Sequence, residues 1–511
     1  MKRTTLSLIA AVTALAAVTG AASLSGGSGE TAAGTGPRVP VALPVERSSL
    51  LCPSPGTSEL AETAYTSVTP AAKTAGSTGG AGGAGSTGGT AALRPTGAAP
   101  VDPKKKAAQQ AVAKPLLSLT EPGRPAAASA DGGDAPALIG TATGRLAPGW
   151  SAQQTTTVAA GDSRGVLGMS CTAPDTEFWF PGASTARERQ DYIHLTNPDD
   201  SPAVVDIELY GKGGRLKTML TEGIPVSAVS SFPILLSTLT EEASPDVTVR
   251  VTTRSGRIGA VIRTAEPSVG TDWLTHTADP APTQVLPGIP ADATSVRLVA
   301  YAPGEEDAEL KVELAGPGGR FVPLGAESLH LKSGMTTSLE LNDVTKGEAG
   351  SLIISPASPS RRVPVVAALR VVRGKGDQRE VAFIPATAAV GERATVADNR
   401  AKGSTLSLTA PTAEAKVTVT ASAGTEGGTA ASRTYTVKKG STLAVTPPLP
   451  AGLKGSYALT VETTGGGPVH ASRTLALPED GIPMFTIQPL PNDGGMVAVP
   501  TTRQDLSVLT D

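Results

Sequence analysis

The sequence predicts an all-β protein: tandem immunoglobulin-like β-sandwich repeats of about 105 residues, with an N-terminal signal or anchor helix and a disordered Gly/Ala/Thr-rich insertion. Three observations carry this. Short alternating Val, Leu, Ile and Thr runs, bounded by Gly, Pro, Asn and Asp, fill the chain beyond residue 135. Landmarks recur at a long, nearly constant spacing. Gly 58 and Pro 43 make up about a fifth of the 511 residues, and Gly, Pro, Thr and Val are poor in helix interiors.

The chain opens with Lys2 and Arg3, then an uncharged stretch, Thr4 to Ser28, whose apolar centre is Leu6 to Val18 and which passes through the small residues Gly20, Ala21 and Ala22. This matches a secretory signal peptide. A retained membrane anchor is the alternative, although Ala and Thr dilute the apolarity that spanning requires. Both readings place the remaining chain outside the membrane, secreted or extracytoplasmic.

Residues 71–100 hold nine Ala, nine Gly, five Thr and two Ser, and the bias continues through Lys104–Lys106 to about Ala135. Such a segment buries too little apolar surface to offset its ordering entropy, so residues 66–136 read as a disordered insertion. Cys52 and Cys171 flank it. An even cysteine count in an oxidising compartment makes a disulfide the default, with two free buried thiols as the alternative. Closing a loop of about 120 residues stabilises by at most about 4–5 kcal/mol in the chain-entropy model.

The repeat is read from four landmarks. Apolar runs with Pro stand at Phe178-Trp179-Phe180-Pro181, Val285-Leu286-Pro287, Phe383-Ile384-Pro385 and Ile487-Gln488-Pro489. Alternating strands follow the first three, as in Tyr192–Pro198, Val296–Pro303 and Leu406–Pro411. A second strand and a Gly-rich turn come next. A hairpin ends each unit, and its closing arginines, Arg263, Arg370 and Arg473, are 107 and 103 residues apart. Alternating strands need one packed face each, and two sheets bury those faces against each other. The expected organisation is 1–36 signal or anchor with a flexible segment; 37–175 a degenerate first sandwich interrupted by 66–136; 176–277, 278–380 and 381–481 three repeats; and 482–511 a C-terminal strand and tail. Each unit is expected to keep its own core, giving a beaded rod.

Leu51-Cys52-Pro53, Cys171-Thr172-Ala173-Pro174 leading to Trp179-Phe180-Pro181-Gly182, and Leu195-Thr196-Asn197-Pro198 resemble a family of uncharacterised exported proteins of high-GC Gram-positive bacteria, described only as a domain of unknown function. The resemblance implies an envelope setting and brings no catalytic residue or ligand with it.

The residues offer little chemistry. Lys+Arg 43 against Asp+Glu 46 leaves no basic excess to neutralise phosphates, so no nucleic-acid partner is expected. His194, His276, His330 and His470 lie far apart, and no G-x-S-x-G elbow marks a nucleophile. Asn197-Pro198-Asp199-Asp200 and Gly304-Glu305-Glu306-Asp307 could gather Ca²⁺, but short acidic turns explain them more simply. No catalytic residue, metal or cofactor is expected. Phe178, Trp179 and Phe180 form the densest aromatic cluster and are the candidate partner-binding residues. On a strand, Trp179 points opposite to the two phenylalanines, so at least one side belongs to a core. Trp273 is expected at the junction with the following unit.

The functional expectation is a non-enzymatic exported envelope scaffold or binding module, with a cell-wall polymer or envelope protein as partner and the membrane reached only through the N-terminal segment. The alternatives are an accessory subunit of a membrane-bound envelope glycosyltransferase or wall-assembly system, and a secreted glycan hydrolase.

Overall fold

The computed structural model describes residues 40–56, 58–71, 88–98, 114–133, 135–219 and 222–500. The expected signal or anchor segment 1–36 lies outside the described residues, as do 72–87 and 99–113 of the insertion. Two units are distinguished: Met1–Leu43 with Ala498–Asp511, described only at 40–43 and 498–500, and Pro44–Val497, which contains everything discussed below. Among the described residues there are only strands and two 3-10 turns, Gly144–Leu146 and Leu236–Thr238, and no helix long and apolar enough to cross a membrane.

Within residues 44–497 the strands form eight sheets in four pairs. In the second pair, Glu177–Ala183, Val247–Ser255, Ala203–Gly211 and Gly214–Arg215, with Ile224–Val226 also on Ala203–Gly211, make one sheet; Gly270–Leu274, Gly259–Glu266, Gln190–Asn197 and Ser230–Leu235 make the other, to which Gly97–Ala98 of the first module adds in parallel. The same order recurs from opening strands Arg47–Cys52, Gln284–Ile289 and Arg393–Asn399 to closing strands Gly165–Ser170, Glu380–Pro385 and Phe485–Pro489. Four modules therefore share one topology. All neighbouring strands within a module are antiparallel, as Ile193↔Ile262 and Ile207↔Val251 illustrate.

Period-two alternation explains each module's core. Phe178 and Phe180 from one sheet meet Ile193, Leu195 and Ile262 from the other. Leu286 and Val312 meet Leu298 and Leu369 in the third module, and Val396 and Val417 meet Leu408 in the fourth. Each such aliphatic side chain contributes about 1.5–3 kcal/mol on burial.

Three expectations are corrected here. The insertion is not disordered throughout: Ala91–Pro95, Leu117–Leu119 and Ala126–Asp131 are strands of the first module. Ala91, Leu93, Leu117 and Leu119 alternate and reach a core containing Tyr65 and Trp150, so sparse apolar residues suffice where large aromatics stand opposite. The unit boundaries also move. Phe383-Ile384-Pro385 does not open the fourth unit but closes the third, pairing Ile384 with Leu369. Ile487-Gln488-Pro489, assigned to the tail, closes the fourth, pairing Gln488 with Arg473. Opening and closing strands are both short apolar runs with Pro, and spacing alone does not separate them.

The third correction concerns arrangement. The modules do not form a beaded rod. The closing strand Gly165–Ser170 touches Gly270–Leu274, which touches Glu380–Pro385, which touches Phe485–Pro489, which returns to Gly165–Ser170. The four modules close into a ring around these strands. Sheets of the second and third, third and fourth, and fourth and first modules also pack on one another. Val68 of the first module joins Ala397 and Ala458 of the fourth. The Ser351 hydroxyl of the third meets Thr409 (2.7 Å) and Thr442 (2.9 Å) of the fourth. Small hydroxyl and methyl side chains on these outer faces let sheets approach closely, which accounts for a chain rich in Ala, Gly, Ser and Thr and poor in aromatics.

Candidate functional site: the ring axis

The four closing strands run along the axis of the ring, and their polar residues line it. The Asp272 carboxylate accepts the Gly168 N–H (3.2 Å) and the Thr486 hydroxyl (3.1 Å), and the Gln488 amide donates to the Thr486 oxygen (3.1 Å). Three modules are thereby joined at one carboxylate. Gly168 is required there, because a Cβ would overlap the Gln488 amide. Burial pushes the Asp272 carboxyl well above the usual carboxylate range, and the neighbouring Glu380 adds to the effect.

Glu380 is fully buried and begins the third module's closing strand. One of its oxygens accepts the Val381 N–H (3.2 Å), while the other has no partner among the described residues. Burial raises it to about 8, against the opposing pull of Arg164. Arg164, from the first module, donates to the carbonyls of Val269 (2.5 Å) and Arg379 (2.6 Å) in the second and third. Charged groups of one module thus staple the others.

At the end of the axis where the strands finish, residues of all four modules enclose a cavity of about 160 Å³. Thr172, His276, Thr387 and Gln488 represent the four modules in its wall. His276 stands edge-on to Phe178 at 5.3 Å, and burial holds its pKa below the ordinary imidazole value. Its Nδ1 and the Gln488 carbonyl oxygen are buried without a partner among the described residues. His470 is fixed beside the cavity through Thr387 O (2.9 Å).

The residues singled out from sequence are placed as follows. Cys52 and Cys171 form a disulfide with Cα atoms 4.7 Å apart, tying the first module's opening strand to the end of its closing strand. Phe178, Trp179 and Phe180 are all buried, so they are not exposed anchors for an external partner. The phenylalanines fill the second module's core, and Trp179 packs on Tyr301 and Val366 of the third. Trp273 packs toward the preceding module, against Ala61, Leu167 and Met169, not the following one. The Asn197 side chain closes its own turn, donating to Ser201 O (2.8 Å) and accepting Asp199 N–H (3.0 Å). Asp307 accepts the Ser333 N–H (2.9 Å), and His330 is surface-exposed beside Glu309 (2.5 Å). The structure does not bring the four histidines together.

Sequence reasoning missed Asp272, Glu380, Thr486 and Arg164. The available signal was a carboxylate inside or beginning an otherwise apolar strand, Thr271-Asp272-Trp273-Leu274 and Glu380-Val381-Ala382-Phe383, since charges are rarely buried without a role.

No curated protein matches the chain. A model for a family of unknown function, DUF5719, matches residues 126–448, from the first module's Ala126–Asp131 strand into the fourth module. That match covers well over half of the sequence, and the chain belongs to this family of unknown function.

Proposed function

We propose that this chain is a non-enzymatic exported envelope protein, a binding module on a closed scaffold, with a cell-wall polymer or an envelope protein as partner. One observation carries the binding role: where modules meet, buried polar groups have no partner among the described residues, among them Gln488 Oε1 and His276 Nδ1 at the axial cavity. Leaving such groups unpaired costs about 1–3 kcal/mol each, and a ligand that pairs them recovers that cost. The ring supports this reading because a scaffold held at several junctions keeps those groups in place before binding. Export rests on the Lys2-Arg3 start and the apolar run Leu6 to Val18, together with the likeness to exported proteins of high-GC Gram-positive bacteria.

Incubating the purified full chain with isolated cell wall and with solubilised envelope proteins tests the reading. Retention by either supports it, and passage through both removes it. Sequencing the N-terminus of the exported form distinguishes a cleaved signal, with a start near Ala21–Ser23, from a retained anchor.

A further inference from the structure

A larger cavity, about 520 Å³, lies between the first and second modules. Its volume falls in the range of sites for small ligands, about 300–1,000 Å³. The second module supplies one wall. On Gln190–Asn197, Ile193 and Leu195 face the module core, which turns Tyr192 and His194 to the opposite side, where they line the cavity. Arg263 is paired with Tyr192 across the sheet and lies over its ring at 5.3 Å. Phe232 and Pro233 continue the wall.

Two features here point to a ligand. His194 is only 4% exposed, yet neither ring nitrogen has a partner among the described residues. Among the described residues Arg263 is a cation with no carboxylate paired to it: Tyr192 is the charge acting on it there, and its Nε is buried with no partner among them. Burial, reinforced by this cation, holds the His194 imidazole well below its ordinary pKa, at about 3. The cavity therefore presents one fixed positive charge and a neutral hydrogen-bonding ring.

The first module supplies the facing wall. The Ser54 hydroxyl donates to Ala135 O (3.0 Å), and Tyr65 Oη donates to Pro136 O (3.4 Å), which fixes that wall's loops. Gly56 lies against the Arg263 guanidinium, where a Cβ would collide with it. The described residues of this wall, Gly56, Gly133, Ala135 and Ala137 among them, are small.

We propose that this cavity binds a carboxylated saccharide. Arg263 takes the carboxylate, because a guanidinium offers a planar fork that matches it. His194 shares a hydrogen bond with a ring hydroxyl, and Phe232 and Pro233 cover the apolar edge of the sugar. The proposal rests on the binding-module reading and names the ligand class for one of its cavities.

The full-length protein is titrated with glucuronate, glucose, acetate, acetyl-dialanine and inorganic phosphate, using calorimetry and the fluorescence of the tryptophans, since Trp273 stands edge-on to His194 at 5.3 Å. Glucuronate should bind and glucose should not. Arg263→Gln should weaken glucuronate binding about 10- to 100-fold, and His194→Gln should weaken it less, with both variants retaining the wild-type unfolding profile. Arg263→Lys should recover part of the affinity. No glucuronate binding, equal binding by Arg263→Gln, or equal affinity for acetyl-dialanine or phosphate each overturns the proposal. Retention of wild type and Arg263→Gln alike on cell wall would remove the cavity's part in wall binding and leave the binding-module reading standing. Glucuronate binding without retention on wall or envelope proteins would do the reverse.

Discussion

Two junctions of the ring use the same device and complete it differently. Between the second and third modules, Arg250 lies over Trp179 at 5.0 Å, and its guanidinium is paired by Glu177 (2.8 Å) and Glu208 (3.4 Å). Trp179, Tyr301 and Val366 fill the space beneath, with Tyr210 alongside. Between the first and second modules, Arg263 lies over Tyr192, but no described acid answers it, and the described residues leave a cavity of about 520 Å³. A cation on an aromatic face is adequate for a structural joint only when carboxylates and bulk complete it. Where they are missing, the joint keeps unspent interaction capacity.

The largest test of this contrast removes the filled junction's anchor. Trp179→Ala should lower stability by about 3–5 kcal/mol, read by thermal or denaturant unfolding. Tyr192→Ala, beside the open cavity, should cost distinctly less. Equal losses would mean that the two junctions are equally packed and would erase the comparison.

A second test extends it to the axis that both junctions share. Glu380 titrates at about 8 when folded and near 4.3 when unfolded. The native state therefore keeps a proton that the unfolded chain releases. The stability due to this group is complete below about pH 4.3 and is lost as pH rises toward 8, by up to about 1.4 kcal/mol per pH unit. His194 and His276, whose pKa values burial lowers, act in the opposite sense only below about pH 6.5. Unfolding midpoints measured between pH 6.5 and 8 should fall for the wild type and fall less for Glu380→Gln. Identical slopes would show that the axial carboxyl is not the group responsible.

The smallest and sharpest test makes one substitution at both arginines. Arg250→Met should lower stability by about 0.5–1 kcal/mol, the scale of a partly exposed ion pair. Arg263→Met should leave stability unchanged or raise it by up to about 1 kcal/mol, because it removes a half-buried cation that no acid among the described residues pairs. A greater loss at Arg263 than at Arg250 would contradict the assignment of the first junction as incomplete.

The three repeat-spaced arginines show where sequence reading stops. Arg263, Arg370 and Arg473 hold the same place in their hairpins, yet Arg370 reaches Glu266 of the preceding module (2.6 Å). Arg473 is fully buried and directed at the carbonyls of Ala397 and Asp398. Arg263 faces a cavity. Spacing identified them as equivalent, but their partners come from other strands and other modules. The same limit hid the axial site, where Gly168 and Thr486, bonded to each other, are 318 residues apart.

Strand character, turn positions, the all-β class and the long-period repeat were written into the sequence itself, because alternation and turn chemistry are properties of a few consecutive residues. A disulfide between the two cysteines was the default, with free buried thiols left open, and the 4.7 Å between their Cα atoms decides for it. Tertiary structure alone decided which Pro-ended run opens a module and which closes it, that sparse apolar residues within the insertion would order against Tyr65 and Trp150, and that the four modules would meet around an axis. Those outcomes depend on which faces touch, and the small Ser, Thr, Ala and Gly side chains that permit close contact leave no periodic mark along the chain.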